Sequence, residues 1–313
     1  MKINRREFIG KSAIGMGGVL LGSQLTALAN ATDSTVGAVV VPNTFDPYQI
    51  VTLGKTPLKV SRVCLGTGMN GWKRQSNQTR LGRERFQGLL ASAYERGVRM
   101  FDLADSYGSH PYLVPALKGV PREKFTIVSK IWTGPGALPE TERPDADIVI
   151  ARFLKEIQTD YLDLVLLHCV TSAKWPEELR RQMDILSKLK ERGQIRALGV
   201  SCHSLGALEA AAVEPWVESV HARINPTGAS MDGTPDAVVP VLRKIHAAGK
   251  GVVGMKIIGA GTYRNDDALR NASVKFVLGL GCVDVLNVGF ESLTEIDDFA
   301  ARVRNVPLPA NLA

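Results

Sequence analysis

Short apolar segments and longer amphipathic segments alternate along most of this chain, and this alternation constrains the fold more than any other feature. Apolar runs such as 62–66, 125–130 and 162–168 have the length and the β-branched content of strands. The segment 83–98 spaces its apolar residues as an amphipathic helix does. Eight strand-like runs occur over about 260 residues, and their continuous apolar character is that of parallel strands covered on both faces. This pattern predicts a (β/α)8 TIM barrel of parallel strands.

Two further observations refine this prediction. The segment 54–66 contains a turn between two strand-like pieces, which indicates a small N-terminal hairpin that closes the bottom of the barrel. A doubly wound sheet is the alternative, but no Gly-x-Gly-x-x-Gly follows a strand with an acidic residue about 20 positions later. Helices are predicted near 83–98, 146–158, 177–192, 204–212, 235–248, 266–279 and 292–303.

The first 31 residues have the character of a targeting segment. A basic start precedes an apolar stretch over 13–28, and small residues follow at a site where a peptidase can cut. The segment "NRREFIGK" at 4–11 resembles the twin-arginine export signal, with a chance arginine pair as the alternative. We therefore predict a signal peptide over 1–31, a linker over 32–50 and the barrel over 51–313.

Export by the twin-arginine machinery would bring the mature protein to the periplasm or another extracytoplasmic compartment. The apolar stretch is shorter than the roughly 20 residues of a spanning helix. No stable membrane span is therefore predicted for the mature form, with a retained anchor as the alternative. The formal charge is +7, of which the leader contributes +3, and the remainder is too weakly basic to indicate a nucleic-acid partner.

Polar side chains end several of the predicted strands, and in a parallel barrel those ends share one face. Asp102 ends the second strand, Lys130 the third and His168 the fourth. Tyr107 lies five residues after Asp102, near enough on the following loop to fold back over the same opening. Each residue alone has an ordinary explanation, as a loop cap, a solvated lysine, a buried histidine or a core tyrosine. Their convergence on one barrel mouth predicts a functional site.

These four residue types have a joint chemical use. Tyrosine has a pKa of ~10, and a neighbouring ammonium lowers that pKa by favouring the phenolate. An aspartate beside the lysine keeps the ammonium charged and oriented, and a histidine can hydrogen-bond a carbonyl oxygen from the other side. The sequence therefore predicts that Tyr107, with a pKa lowered by Lys130, protonates a carbonyl oxygen while hydride reaches the carbon.

The same residues carry a resemblance to the aldo-keto reductases over roughly residues 50–300. "FDLADSYG" at 101–108 is similar to the family's Asp-x-Ala-x-x-Tyr-Gly pattern, and "VSKIW" at 128–132 to its Ser-Lys pattern. "DLVLLH" at 163–168 is similar to its Asp-Leu-x-Leu-x-His pattern. The resemblance implies a (β/α)8 barrel that binds an extended nicotinamide dinucleotide across its mouth. It implies reversible reduction of aldehydes or ketones, usually with NADP(H), and NAD(H) is the alternative cofactor.

The resemblance also assigns catalytic roles to the four residues. It implies that Tyr107 is the general acid, that Lys130 and Asp102 tune it, and that His168 orients the carbonyl of a small-molecule substrate. Asp105 lies outside this tetrad and is expected to order the loop that bears Tyr107.

Cofactor positions carry over with several departures from the family's pattern. Ser201 matches a family serine near the carboxamide, but Cys202 replaces its usual asparagine neighbour and His221 the usual glutamine. Met255 replaces the tyrosine that commonly stacks on nicotinamide, and Glu291 would repel a ribose phosphate. The cofactor-binding residues implied in this way are Ser201, Cys202, Asn225, Met255, Lys256, Gly289 and Glu291.

The sequence leaves open the role of two cationic residues near the seventh strand. Lys256 and Arg264 flank the loop 258–261, where they either hold cofactor phosphates or are solvated loop charges. Because no soluble nicotinamide pool is expected outside the cytoplasm, we expect the barrel to take up its cofactor before folded export.

Other chemistries find less support in the sequence. The five histidines show no His-x-His or His-x-x-x-His spacing, so no metal site is predicted. Four cysteines are too few for a disulfide framework, and buried thiols are expected, with a Cys169–Cys202 bridge as the alternative. Two rival functions stay open, an exported non-catalytic binding barrel and a lyase in which Lys130 forms a Schiff base.

Overall fold

A computed structural model describes residues 43–309, and it contains a closed barrel of eight parallel strands. The predicted leader and most of the predicted linker lie outside these residues. A two-stranded antiparallel hairpin, β1 (Ile50–Thr52) and β2 (Lys59–Ser61), precedes the barrel. The barrel strands are β3 (Val63–Gly66), β4 (Met100–Asp102), β5 (Thr126–Trp132), β6 (Leu162–Val170), β7 (Ile195–Cys202), β8 (Ser219–Arg223), β9 (Gly251–Met255) and β10 (Val285–Gly289).

Strand order and helix positions confirm the predicted (β/α)8 barrel. Each barrel strand pairs in parallel with the next along the chain, and β10 closes the ring against β3. The helices are α1 (Asn77–Arg80), α2 (Arg83–Glu95), α3 (His110–Ala116), α4 (Ala146–Ile157), α5 (Trp175–Glu178), α6 (Arg180–Glu191), α7 (Leu205–Val213), α8 (Pro235–Ala247), α9 (Asp267–Gly279) and α10 (Leu293–Arg304).

Helix α3, between β4 and β5, is an element that the sequence pattern did not predict. It is seven residues long and contains Pro111 near its start and Pro115 inside it. Proline removes a backbone donor and usually ends a helical pattern. Pro111 lies in the first turn, where its missing donor would be unpaired in any case, so the short helix tolerates it.

Two hydrophobic cores hold the barrel together. The larger core lies between the strands and the surrounding helices. The smaller core fills the barrel interior, where Leu53, Leu58 and Val60 of the hairpin pack against interior residues such as Met100 and Leu164. The predicted hairpin is therefore present, and it closes the barrel with apolar side chains.

Residues upstream of β1 also pack on the barrel. Phe45 is buried, and its backbone nitrogen donates to the carbonyl of Val306 at 3.0 Å. Thr44 forms an isolated antiparallel bridge with Pro307, so both ends of the described chain meet beside the barrel. The folded unit therefore includes residues that precede the predicted start at residue 51.

Two other features are absent from the described part of the chain, namely a membrane-spanning helix and a cluster of metal ligands. Within residues 43–309, no helix is long and apolar enough to cross a membrane. The same part of the chain holds no group of three or more His, Cys, Asp and Glu side chains that could bind a metal ion.

Gly54 allows the hairpin to approach the barrel bottom, and this gives a first prediction. Its φ is +54°, and a Cβ there would lie 2.6 Å from the carbonyl carbon of Lys250. Gly119 has a φ of +88° and open space around it, so Gly119→Ala tests the backbone strain alone. We expect Gly119→Ala to lower the free energy of unfolding by about 1–2 kcal/mol. Gly54→Ala should lower it by a further ~1–3 kcal/mol, since only this substitution also produces a clash.

Thermal unfolding of both variants measures this difference. Each kcal/mol corresponds to a fall in Tm of roughly 2–4 °C for a domain of this size. Equal Tm values for the two variants would show that the hairpin is not held tightly against the barrel.

Candidate active site

The predicted tetrad comes together at the carboxyl ends of the barrel strands. Asp102 is the last residue of β4, and Tyr107 follows in a short 3-10 turn over 105–107. Lys130 and His168 each precede the end of their strand by two residues. Asp102, Lys130 and His168 are exposed by only 3%, 0% and 7%. The site therefore lies inside the mouth of the barrel and is shielded from water.

A buried ion pair forms the base of this site. The Lys130 ammonium donates to Asp102 Oδ1 and to the carbonyl oxygen of Leu103, the latter at 3.0 Å. Asn287 Nδ2, from β10, donates to Asp102 Oδ2 at 2.7 Å. Buried charges are tolerated when they are paired and their remaining lone pairs are satisfied. Asp102 meets both conditions, and it joins three barrel strands.

Burial and charge fix the protonation states of this pair. Burial is the largest single effect and would raise the pKa of Asp102, but Lys130 and His221 together outweigh it and hold that pKa well below the usual range. Burial lowers the pKa of Lys130, and the Asp102 carboxylate opposes the change. His221 is fully buried, with its Nε2 3.6 Å from Asp102 Oδ1. The pair is therefore charged at neutral pH.

Tyr107 and His168 face each other above the ion pair. The Tyr107 hydroxyl lies 3.3 Å from His168 Nε2, and its ring centroid lies 4.8 Å from Lys130 Nζ. Trp132 packs edge-on against the His168 ring at 5.3 Å. Burial, followed by the charge of Lys130, lowers the pKa of His168 well below 6.5, so its imidazole is neutral at pH 7. A neutral imidazole can hydrogen-bond both a phenol and a carbonyl group.

The pKa of Tyr107 differs from the sequence-based expectation. Burial, with a smaller contribution from the Asp102 carboxylate, raises it well above 10. The Lys130 charge was expected to lower this pKa, but it is compensated by Asp102 at short range. Tyr107 therefore holds its proton firmly in the free protein.

Neighbouring loops fix the Tyr107 ring in position. Gly68, after β3, lies against the ring so closely that a Cβ would come within 2.6 Å of Tyr107 Cε1. Asp105 accepts hydrogen bonds from Arg74 Nε at 2.9 Å and from Arg152 Nη1 at 3.0 Å. Asp105 is buried, so these two arginines tie the Tyr107 turn to the loop after β3 and to α4.

An elongated cleft leads away from the tetrad. It begins at Asp102 and Tyr107 and runs between the loops that follow β9 and β10 towards α9 and α10. Its lining residues come from the loops after β3, β4, β9 and β10 and from helices α9 and α10. Its shape therefore suits an extended ligand with one end at Tyr107.

Three of the predicted cofactor residues line this cleft, namely Met255, Lys256 and Gly289. Among residues 43–309, the Lys256 ammonium makes no hydrogen bond or ion pair, and its backbone φ is +57°. A non-glycine residue at positive φ is strained, and such strain concentrates at functional sites. Asn287 also lines the cleft, and its buried Oδ1 has no partner within the described chain. The cleft thus offers a cation and an acceptor to a ligand.

The other four predicted cofactor residues lie outside the lining of the cleft. Ser201 Oγ accepts from the backbone nitrogen of Cys169 at 3.0 Å. Cys202 is buried, with its sulfur directed at the carbonyl of Ala207. Asn225 is bonded within its own loop, where its Nδ2 donates to the Ala229 carbonyl oxygen at 2.8 Å.

Glu291 is the fourth of these residues, and it accepts from Asn77 Nδ2 at 2.6 Å. Arg264, by contrast, lines the cleft together with Arg270, Glu295 and Asp298, three residues that the sequence reasoning missed. The local sequence pattern does not distinguish these three residues from ordinary surface charges. Their spacing along the last two helices is the one signal by which they could have been predicted.

Three of the four cysteines, Cys64, Cys202 and Cys282, are the buried thiols that were expected. All four are free, and Cys169 alone is partly exposed. The alternative Cys169–Cys202 bridge is not formed, since the Cys169 sulfur contacts His203 Nδ1 at 2.9 Å.

Comparison with known proteins supports the same interpretation. The model of the Aldo/keto reductase family matches residues 62–277, which is more than half of the chain. Aldo-keto reductase family 4 member C11 of Arabidopsis thaliana is 33% identical over 158 residues, which cover 42% of this chain and 47% of that protein. Glyoxal reductase of Bacillus subtilis is 32% identical over 140 residues, which cover 42% and 46%. These matches span about half the length of the curated relatives.

Solved structures share the fold. A putative aldo-keto reductase from Pseudomonas aeruginosa has a TM-score of 0.67 and 24% identity, covering 83% of this chain and 96% of that chain. An aldo/keto reductase from Klebsiella pneumoniae, in complex with NADP and acetate, has a TM-score of 0.61 and 20% identity, covering 84% and 92%. With the family match over most of the barrel, this chain belongs to the aldo/keto reductase family.

Proposed function

We propose that this protein is an NAD(P)(H)-dependent oxidoreductase that reversibly reduces an aldehyde or ketone. The observation that supports this function best is the Asp102, Tyr107, Lys130 and His168 assembly, which opens directly into the elongated cleft. Glyoxal reductase, a small-carbonyl enzyme by name, is among its relatives. The nicotinamide cofactor would supply hydride to the carbonyl carbon and recover it in the reverse direction.

Tyr107 acts as the proton donor to the carbonyl oxygen. Its hydroxyl is within reach of His168 Nε2, so a carbonyl oxygen beside both groups would accept hydrogen bonds from two sides. The neutral His168 orients that oxygen without competing for the proton. Lys130 and Asp102 act as positioning residues, because their buried pair fixes the floor on which the Tyr107 ring rests.

The cleft residues fit a dinucleotide. The Lys256 ammonium, which has no partner among residues 43–309, would hold the diphosphate. Met255 offers an apolar surface at the nicotinamide end, and Asn287 offers an acceptor. The family resemblance favours NADP(H), with NAD(H) as the alternative. The choice depends on the charge around the adenosine ribose, at the other end of the cleft.

The two rival functions find less support at this site. A Schiff-base lyase needs an accessible neutral amine, whereas Lys130 is fully buried and donates to two acceptors. A non-catalytic binding barrel would not require a phenol and an imidazole converging at 3.3 Å above a buried ion pair. The buried, paired Lys130 and the phenol and imidazole held above it are together the arrangement of a proton-transfer site.

We also propose that the protein is exported folded with its cofactor bound. The twin-arginine motif at Arg5 and Arg6 supports this, since that route carries folded proteins. The bound cofactor would then cycle between two substrates in the periplasm or another extracytoplasmic compartment.

Replacement of Tyr107 by Phe tests the proton donor. We expect the Tyr107→Phe enzyme to lose about 10²–10⁴-fold in kcat for carbonyl reduction and to keep its affinity for the dinucleotide, since the ring still fills its place. Tyr112→Phe is the matched control, because that hydroxyl makes no hydrogen bond within residues 43–309. A Tyr107→Phe enzyme with more than a tenth of the normal kcat would rule out this role.

The pH dependence of the two directions tests the raised pKa of Tyr107. Tyr107 stays protonated below its raised pKa, and His168 stays neutral above its lowered one. The kcat/KM for carbonyl reduction should therefore be constant from about pH 6 to about pH 9. The kcat/KM for alcohol oxidation should rise over the same range, because oxidation needs Tyr107 to accept a proton. Loss of reduction with an apparent pKa of ~7 would instead show that Lys130 lowers the pKa of Tyr107.

Cell fractionation and cofactor analysis test the export proposal. Protein purified from the extracytoplasmic fraction should release a nicotinamide dinucleotide when it is denatured, detected by absorbance and mass. An Arg5→Lys and Arg6→Lys double variant should accumulate inside the cell, because the paired arginines form the address. Exported protein without any bound dinucleotide would contradict loading before export.

A further inference from the structure

The end of the cleft farthest from Tyr107 is rich in paired charges. It is lined by Arg264 of the loop after β9, by Arg270 of α9 and by Glu295 and Asp298 of α10. An aromatic pair lies beside them, with the rings of Phe290 and Phe299 5.8 Å apart. A dinucleotide whose nicotinamide lies at Tyr107 would bring its adenosine to this end.

Both arginines at this end are paired with carboxylates, although the buried Arg270 Nε has no partner within the described residues. Arg264 Nη2 lies 2.8 Å from Glu295 Oε1 and 3.7 Å from Glu291 Oε2. Arg270 Nη1 lies 3.0 Å from Asp298 Oδ2, and its Nη2 also pairs with Asp267.

Acidic groups outnumber basic groups in this network. Arg302 extends it by pairing with Asp298 and Asp267 at 2.7 and 2.6 Å. Three arginines then face four carboxylates, namely Glu291, Glu295, Asp267 and Asp298. The network therefore has a net negative charge, and a phosphate would have to displace carboxylates from it.

The start of α10 is partly occupied by the protein's own side chains. Free backbone N–H groups at a helix N-terminus attract phosphate. Here Ser292 Oγ accepts from Glu295 N at 3.3 Å, and Glu295 Oε2 accepts from Glu291 N at 2.7 Å. The donor of Glu295 is thereby used, and the Glu295 carboxylate lies at the start of the helix, where its charge opposes an external phosphate.

We propose that this end of the cleft selects NAD(H) over NADP(H), an inference that rests on the proposed function. Glu295 and Asp298 carry acceptors for the two ribose hydroxyls, and their charge opposes the additional phosphate of NADP(H) at the 2′ position. Dinucleotide-binding proteins of other folds use the same logic, with an acidic residue for the hydroxyl and an arginine for the phosphate.

Direct binding measurements test the selectivity without relying on catalysis. Fluorescence titration of the full-length protein with NADH and with NADPH, at one fixed ionic strength, should give at least a ~10-fold lower Kd for NADH. Competition by the adenosine fragments 5′-AMP and 2′,5′-ADP should show the same preference, since these two fragments differ only in the 2′ phosphate.

Glu295→Gln is the variant of choice because glutamine preserves the helix cap. Loss of the carboxylate frees Arg264, so the Kd for NADPH should fall about 10-fold while the Kd for NADH changes less. Asp297→Asn is the matched control on the same helix, since Asp297 is exposed and pairs with Arg96 outside the cleft. It should leave both Kd values unchanged.

The outcomes separate this inference from the function on which it rests. Tighter binding of NADPH than of NADH by the unmodified protein would overturn the selectivity and leave the oxidoreductase function intact. An unchanged NADPH affinity in Glu295→Gln, or an equal gain in Asp297→Asn, would also overturn it. Binding of neither dinucleotide would overturn the proposed function, and the selectivity with it.

Discussion

The buried ion pair between Lys130 and Asp102 is the interaction on which the site depends. Removal of a charge from water costs roughly several kcal/mol per ion. Lys130 and Asp102 are only 0% and 3% exposed, so their remaining protons and lone pairs need hydrogen-bond partners. Leu103, directly after β4, supplies one such partner and Asn287 of β10 another, so the pair links β4, β5 and β10 at the barrel mouth. Two hydrophobic side chains at these positions would cost less free energy to bury. The value of the charges therefore lies in their effect on the neighbouring side chains.

Those neighbours are Tyr107 and His168, and both are held in the neutral form. The same burial that makes the ion pair expensive raises the pKa of the phenol and lowers that of the imidazole. The result is a proton donor beside a neutral hydrogen-bonding group, in a setting from which water is largely excluded. Asp105 and its arginine partners contribute rigidity, because they fix the turn that carries Tyr107.

Much of the fold and the tetrad could be predicted because both depend on local patterns. Apolar runs and helical spacing identify the strands and seven of the helices, whereas Pro111 and Pro115 conceal α3. The contacts of Asn287 with Asp102 and of Arg152 with Asp105 join residues 185 and 47 positions apart, and no local pattern reveals such pairs. The pKa of Tyr107 was expected in the wrong direction for a related reason. Nearness of a lysine suggests a lower pKa, but the outcome depends on burial and on whether that lysine is already compensated, which only the three-dimensional arrangement decides.

The charges along the cleft follow an order that suits one kind of ligand. Lys130 is neutralised by Asp102 at the reacting end, so it does not attract an anion there. Lys256 presents an ammonium without a partner among the described residues, and it is the cation best placed for a diphosphate. Beyond it, Arg264 is held by carboxylates, so the far end favours hydroxyl groups over a further phosphate. The surroundings are neutral at the reacting end, positive at Lys256 and acidic at the far end. This order matches a reacting ring, a diphosphate and an unphosphorylated ribose. The proposed selectivity therefore rests on the charges along the cleft, and we expect a substitution that moves one charge to change the preferred dinucleotide without altering the tetrad.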